Sequence, residues 1–513
     1  MSGTWNEGYF TDVGYTYGYY REINPVFQRF CLLLRGYAPV ESANPVHCEL
    51  GFGQGVSINI HAAANPGSYV GTDFNPAHAA HANSLAASYD NSPRLYDDSF
   101  EQLLARDDLP QFDSISLHGI WTWVSRDNHK LITEFVRRHL KPGGVLYNSY
   151  NCFPGWSPSA PLRQLFTLHD RFIPHPTDTT ARVDSALKFS EALFAANPIY
   201  TNSVPGLKER LQKVMGQDRQ YVAHEYFNRD WNCMYFTDVV DALAEAKVEF
   251  AATASPFDSV ENINLTPEGL AFLQNIEHPI MREQARDYFV NQQFRKDLYT
   301  RGAARLSVKE QSQRLSSTRV VLVRSVDDVP SKITTALGEA SLQQDIYAPI
   351  LEVLASKTYA PKTLQQLAAA LPHIAAPSLV QAIAVLTGQG SVVPCQSDSA
   401  EKQAQAHCNA LNQQLIYQAH FDKRIEFLAS PVTGGGISVN RFQQLFLNAI
   451  RQNKKQPMDW AQYAWNVLCE QGERLVKEGK PLNSAEENLA ELGQQAQTFS
   501  DKFLPILKAV RIA

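Results

Sequence analysis

The segment Glu49-Leu-Gly-Phe-Gly-Gln-Gly55 puts an acid and three glycines within one short stretch, directly after the apolar run Val46–Leu50. Glycine allows a tight turn and close approach of backbone to ligand, as in the first loop of a nucleotide-binding βα unit. Neither phosphate-cradling pattern is present: no GxGxxG ends at the helix, and no Gly-Lys-Ser/Thr follows, which disfavours a pyrophosphate. Asp73, with Phe74 after it, closes the next apolar run, where an acid can accept both hydroxyls of a ribose. Asp97, Asp98 and Ser99 stand after a third run, where an adenine amino group would be read, and His118-Gly119 follow a fourth, beside the ligand's reactive end. Four successive strand ends with suitable groups weigh more than any one, because open α/β sheets bind ligands along that edge.

Holding those positions requires a sheet. Val46–Leu50, Tyr69–Asp73, Arg94–Tyr96, Phe112–Leu117 and Gly143–Ser149 read as strands, with helices such as Pro76–Ser88 and His129–Leu140 between them. That alternation implies a parallel sheet with right-handed crossovers. A helical, proline-punctuated insertion is expected at about 155–223. A helix N-capped by Thr237 and the strand Val248–Thr253 then resume the pattern, so the sheet should finish near residue 265. Met281–Leu298 reads as a helix; Arg282, Arg286, Arg295, Lys296 and Arg301 among Glu283, Asp287 and Asp297 read as a solvated, salt-bridged face. A strand at Arg319–Val323 follows. Past Pro330, helices at Tyr347–Ala355, Thr363–Leu371 (N-cap Thr363) and Ser378–Thr387 (N-cap Ser378) precede Ser391–Val393, the order of a winged-helix-like unit. Its third helix carries no basic residue for base edges, which favours protein contact or scaffolding. Gly434–Gly436 reads as a turn before a helix near Arg441–Arg451.

A chain of 513 residues should hold about three domains. With 46 basic and 52 acidic residues the net charge is −6, so the chain lacks the cationic excess that neutralises phosphates, and no nucleic-acid partner is expected. Seven cysteines without a CxxC pair fit neither a disulfide framework nor a zinc site, and His78 with His81 lacks a third ligand; no metal is expected. Met1–Phe10 has no basic or apolar leader character, and no apolar run approaches the ~18 residues of a membrane span. The expected location is cytoplasmic, without membrane insertion.

The glycine loop with Asp73, Asp98-Ser99-Phe100 and Leu140-Lys-Pro-Gly-Gly resembles a class I S-adenosylmethionine-dependent methyltransferase over about residues 40–150. Tyr15-Thr16, His118 to Val124, Ser149-Tyr150-Asn151, Pro154-Gly155-Trp156 and His224-Glu225-Tyr226 are similar to bacterial methyltransferases with a methyltransferase regulatory domain. The rickettsial outer-membrane protein lysine methyltransferases share this layout. The resemblance implies an α/β fold: a Rossmann-like methyltransferase sheet with a helical insertion and a mainly α, winged-helix-like C-terminal region. The corresponding division is an aromatic arm or lid (1–45), the core (46–265), a connecting segment (266–330), a winged-helix-like domain (331–430) and a helical domain (431–513). By the same resemblance, S-adenosylmethionine is the cofactor. Glu49, Gly51, Gly53 and Gly55 wrap its methionine part, Asp73 its ribose and Asp98 its adenine, with Phe74, Ser99, His118 and Gly119 as further cofactor-binding residues. Related loops often carry a small residue or cysteine where Phe52 stands, so Phe52 is expected to narrow the approach.

Methyl transfer from a sulfonium needs nucleophile, methyl and sulfur in line and water excluded. A lysine acceptor, with an ordinary pKa of about 10.4, must first lose a proton, which desolvation and orienting groups assist. Tyr15, Tyr19, His118, Trp121 and Tyr150 are the catalytic candidates, with Trp123 and Trp156 added as walls of the acceptor channel. His224-Glu225 reads as a structural pair in preference to a base. The implied partner is a protein, unfolded or modified before export, and a homodimer is compatible with the sequence. The alternatives are a metabolite methyltransferase and a catalytically silent cofactor-binding protein.

Overall fold

Strand-forming runs and helices alternate through the first third of the chain, and the computed structural model, which describes residues 16–38, 41–174 and 178–513, gathers them into one sheet. Its strands are β1 (Val46–Leu50), β2 (Ser68–Thr72), β3 (Arg94–Tyr96), β4 (Phe112–Leu117), β5 (Leu140–Asn151), β6 (Glu249–Thr253) and β7 (Phe294–Thr300). The order is β3-β2-β1-β4-β5-β7-β6. The first five strands run parallel; β7 is antiparallel to both neighbours. The carboxyl ends of β1 to β5 therefore share one edge, as a doubly wound α/β sheet requires.

Strand β7 corrects two expectations: the sheet does not finish near residue 265, and Met281–Leu298 is not one helix. The helix is Pro279–Val290, closed by Asn291 in the left-handed region. The charged residues beyond it follow strand periodicity, so Arg295, Asp297 and Tyr299 share a face. That face is buried. The Arg295 guanidinium pairs with Glu283 (2.9 Å), Asp287 (2.5 Å) and Asp297 (2.9 Å), and the Tyr150 hydroxyl donates to Asp297 at 2.6 Å. Arg286 pairs with Asp258, Lys296 with Glu22, and Arg301 donates to the carbonyls of Arg137 and Leu140. A set of charges read as solvated is largely a network that seats β7 against β5.

Between β5 and β6 stand the helices Ala160–Phe172, Thr179–Ala195, Ile199–Ser203, Leu207–Met215 and Arg219–Tyr226, packed around Trp156, Phe166, Leu187, Leu211 and Tyr226. The next helix begins at Phe236 after Tyr235, one residue before Thr237. Further on, Arg319–Leu322, Lys362–Thr363 and Val392–Cys395 form a small antiparallel sheet beside helices Gln344–Tyr359, Leu364–Ala370 and Ala376–Gly388. Thr363 caps the second of these helices; the third starts two residues before Ser378, at Ala376. The last region holds the long helix Asp398–Gln418, a hairpin of Phe427–Ser430 with Gly435–Ser438, and helices including Arg441–Arg451 and Pro457–Glu470. It shares one apolar core with the first helix of the α/β unit, Val56–Ala64, every residue of which is buried.

Candidate functional site

The glycine loop leaves β1 with Gly51, Gly53 and Gly55 all at positive φ, which side chains other than glycine's rarely adopt. Gly51 N–H donates to the Thr72 carbonyl at 2.8 Å, tying the turn to β2. The Phe52 ring turns aside against Gly71, where an added Cβ would meet it at 2.9 Å. Phe52 thus borders the cavity from its wall, and the bare Gly71 makes room for it.

Three acids come from three strand ends and face one cavity of about 1200 Å³, counted out to its open mouth. Glu49 lies next to the end of its buried strand with only 6% of its surface exposed, and among the described residues no cation or hydrogen bond relieves it; burial and the nearby Asp73 push its carboxyl up to about 8. Asp73 accepts from Gly53 N–H at Oδ2 (2.8 Å) and from Asn75 N–H at Oδ1 (3.1 Å), and His78 Nδ1 lies 3.0 Å from that same Oδ1. Asp98 is gripped by Arg106, which also lies over the Tyr96 ring at 3.7 Å. Ser99 spends its hydroxyl on capping the helix Phe100–Leu104 and lines the wall through that role. Phe74, Phe100 and Ile120 supply apolar surface.

The far end of the cavity is aromatic. His118 is stacked beneath Tyr20, with ring centres 3.9 Å apart, and its Nδ1 lies 2.8 Å from the Tyr147 hydroxyl. Burial pulls its imidazole down to about 4, so the ring is neutral at pH 7. Gly119 is at φ +66°, its N–H donates to Ser149 Oγ at 2.8 Å, and a Cβ added there would enter open space. Tyr20, His118, Gly119 and Trp123 also line a second chamber, of about 990 Å³, whose other walls include Trp156, Arg210, Tyr221, Glu225, Tyr226 and Phe294. The two spaces meet at those four residues. The set fits a nucleoside with a cationic tail: a ribose-facing acid, an adenine-end wall, and at Glu49 a buried carboxyl that a positive group would ionise.

Of the residues singled out in the sequence, Glu49, Gly51, Gly53, Asp73, Phe74, Asp98, Ser99, His118 and Gly119 are brought to this cavity. Gly55 is not: its added Cβ would strike Ala82 at 2.2 Å, so it serves packing between helices. Tyr15 lies outside the described residues. Tyr19 is half-buried away from the cavity, against Gly435, Gly436 and Phe427, with its hydroxyl 3.2 Å from His61. Trp121, wholly buried, stacks on His129 at 4.2 Å, and Tyr150 belongs to the Arg295 network. Trp121 and Trp123 lie in a 3-10 turn, which sends one into the core and leaves the other at the cavity. Sequence reasoning missed Tyr20, Thr16, Gly18, Asn128 and Asp230 as lining residues, and weighed His78 for a metal site that lacks a third ligand. The His78 signal was its position on the helix that follows Asp73.

Comparison with known proteins gives matching families and folds. Residues 48–146 match the family described as "Methyltransferase domain", and residues 218–301 the "Predicted methyltransferase regulatory domain". An uncharacterized protein of Synechocystis is 38% identical over 99% of this chain and 100% of its own length. An uncharacterized protein of Rickettsia prowazekii is 23% identical over 54% of this chain and 50% of its own. Among solved structures, PKMT2 from Rickettsia typhi in complex with AdoHcy superposes with a TM-score of 0.70 at 18% identity, covering 97% of this chain and 99% of that one. The fold is shared along the whole length.

Proposed function

The chain belongs to the S-adenosylmethionine-dependent methyltransferases that carry a methyltransferase regulatory domain, and on that premise we propose that it methylates lysine side chains of proteins. S-adenosylmethionine is the cofactor. When bound, it supplies a methyl group on a sulfonium, open to attack by a nucleophile. We assign Glu49 to its cationic amino-acid end, Asp73 to the ribose, and the Asp98-Ser99 wall to the adenine. Asp73 is held for this task by Gly53 N–H and Asn75 N–H, so its carboxylate needs little reorganisation on binding. Tyr20, neutral His118 and Trp123 border the passage, exclude water and leave an acceptor's lone pair uncontested by a positive imidazole.

The observation that carries the protein-lysine reading is the second chamber. It joins the cofactor cavity through an aromatic passage and reaches the surface between insertion helices, where Lys213 and Tyr221 are exposed. That form suits a long, thin acceptor side chain offered from a polypeptide outside. The likeness of the fold to PKMT2 and the sequence resemblance to rickettsial protein lysine methyltransferases point the same way. The unit built on Arg319–Leu322, with its three helices and small sheet, we read as a winged-helix-like scaffold for protein contact.

The test is incubation of the purified protein with methyl-labelled S-adenosylmethionine and a bacterial lysate. Label is expected in protein that survives nuclease and yields methyl-lysine on hydrolysis, and Asp73→Ala is expected to abolish it. Label confined to small molecules would replace this reading with a metabolite methyltransferase; cofactor binding with no transfer to any fraction would replace it with a silent binding protein.

A further inference from the structure

Glu225 stands in the last turn of helix Arg219–Tyr226 and lines the second chamber together with Trp156, Tyr221 and Tyr226. It is the one carboxylate among the described residues of that wall. Two cations face it from other helices, and both make their contacts elsewhere, although the buried Arg163 Nε has no hydrogen-bond partner among the described residues. Arg163, on Ala160–Phe172, donates to the Asn228 carbonyl at 2.6 Å and lies over the Trp231 ring. Arg210, on Leu207–Met215, lies over the Trp156 ring at 5.1 Å and reaches the Tyr226 hydroxyl at 3.3 Å. Glu225 feels both at a distance and bonds to neither. A half-buried carboxylate left this way in an aromatic chamber is set to receive a cation.

We propose that Glu225 is the proton acceptor for a primary ammonium entering the second chamber, and so a catalytic residue for methylation of amines. The inference rests on the lysine reading above. The carboxylate pairs with the ammonium and takes one of its protons. The N–H bond breaks with its electron pair left on nitrogen, an O–H bond forms on Glu225, and that proton leaves to water through the open rim after turnover.

Other groups in the chamber are poorer bases. His118 is neutral down to about pH 4, so it binds a proton weakly, and burial raises the hydroxyls of Tyr221 and Tyr226. Burial pushes the Glu225 carboxyl up to about 7 against the pull of Arg210 and Arg163, which brings it closer to an amine than an ordinary carboxylate and near the working pH. Lys213 on the rim and Arg210 behind it repel a free cation, so the amine is best delivered from a segment with acidic groups beside it.

The test uses the full chain and Glu225→Gln. With S-adenosylhomocysteine bound, wild type is expected to bind the probe Nα-acetyl-lysine amide, read by NMR titration, and the variant to bind it at least about tenfold more weakly, with unchanged affinity for S-adenosylhomocysteine. In turnover on a lysine peptide flanked by glutamates, kcat/KM is expected to fall about 10²-fold and the acid limb near pH 7 to vanish. Glu225→Asp, which keeps a carboxylate, should retain that limb at a lower rate. Unchanged probe affinity and pH profile in Glu225→Gln overturn the role of Glu225 while leaving lysine methylation intact. A wild type that binds no amine probe and methylates a non-amine acceptor overturns both. If Glu225→Gln loses affinity for S-adenosylhomocysteine, Glu225→Asp decides, and a flat acid side in it and in wild type overturns the proposal.

Discussion

A carboxyl held near 8 is protonated at neutral pH, and Glu49 sits where a positive ligand group would pull that proton off. Binding and ionisation are then linked. In the free protein Glu49 keeps its proton up to about pH 8, whereas in the unfolded chain it loses it near the ordinary 4.5. The folded state thus binds the extra proton, so Glu49 costs stability progressively as pH rises from 4.5 to about 8, and Glu49→Gln should remove that slope. Cofactor binding favours the ionised form. Calorimetry in buffers of different ionisation enthalpy should therefore show close to one proton released at pH 7, and affinity rising up to about tenfold per pH unit between pH 5 and 7. Glu49→Gln should release none and show no such rise; an unchanged proton count in it would remove Glu49 from the cofactor site. The acids at the strand ends were legible because an acid closing a buried strand has few other uses. Tyr19 and Tyr20 were not separable, since adjacent residues of an extended arm point to opposite sides and the sequence does not say which side faces the cavity.

Gly55 belongs to the same motif as Gly51 and Gly53, yet its task is packing. It holds φ at +75°, and a Cβ there would lie 2.2 Å from the Ala82 Cβ and 2.9 Å from the Ala82 Cα, a backbone atom that cannot swing aside. Left-handed strain alone costs roughly 1–3 kcal/mol, and displacement of helix Pro76–Ala86 adds to it. Gly55→Ala should therefore lower stability by about 2–4 kcal/mol in denaturant unfolding. Because that helix also carries His78 onto Asp73, cofactor affinity should fall with it; a variant as stable as wild type would show the helices free to separate. At this scale the early strands were legible from apolar runs bounded by glycine and proline. Strand β7 was not, because Arg295 and Asp297 are charged and a buried ion network has the composition of a solvated helix face. Only the period of two separates them, and over seven residues it is a weak signal.

The largest consequence of the sequence lies in one helix. Val56–Ala64 reads Val-Ser-Ile-Asn-Ile-His-Ala-Ala-Ala, with apolar or small residues at all but Asn59 and His61, both of which find hydrogen-bond partners, and a helix of that kind must be covered all round. The sheet covers one side. The other is closed by helix Asp398–Gln418 and the hairpin Phe427–Ser438, through Leu411, Leu415 and Leu428. Gln396 Nε2 donates to the Ala64 carbonyl at 2.7 Å, and Asn24 Nδ2 to the Thr433 carbonyl at 3.0 Å. The arm that brings Tyr20 to the cavity is pinned by the same region, with Tyr19 against Gly435 and Gly436 and Arg424 over the Tyr17 ring at 4.1 Å. The C-terminal third is thus a structural wall of the cofactor unit and the anchor of its aromatic cover. A chain ending at residue 330 would expose the apolar back of Val56–Ala64 and release the arm. Such a truncation should aggregate on expression or, where soluble, bind S-adenosylmethionine at least about tenfold more weakly than the full chain, by equilibrium dialysis at matched concentration. Supplying residues 331–513 as a separate polypeptide should restore solubility if they act as a wall. A soluble truncation with full affinity would mean that the α/β unit completes its own core and that the C-terminal region serves the acceptor alone.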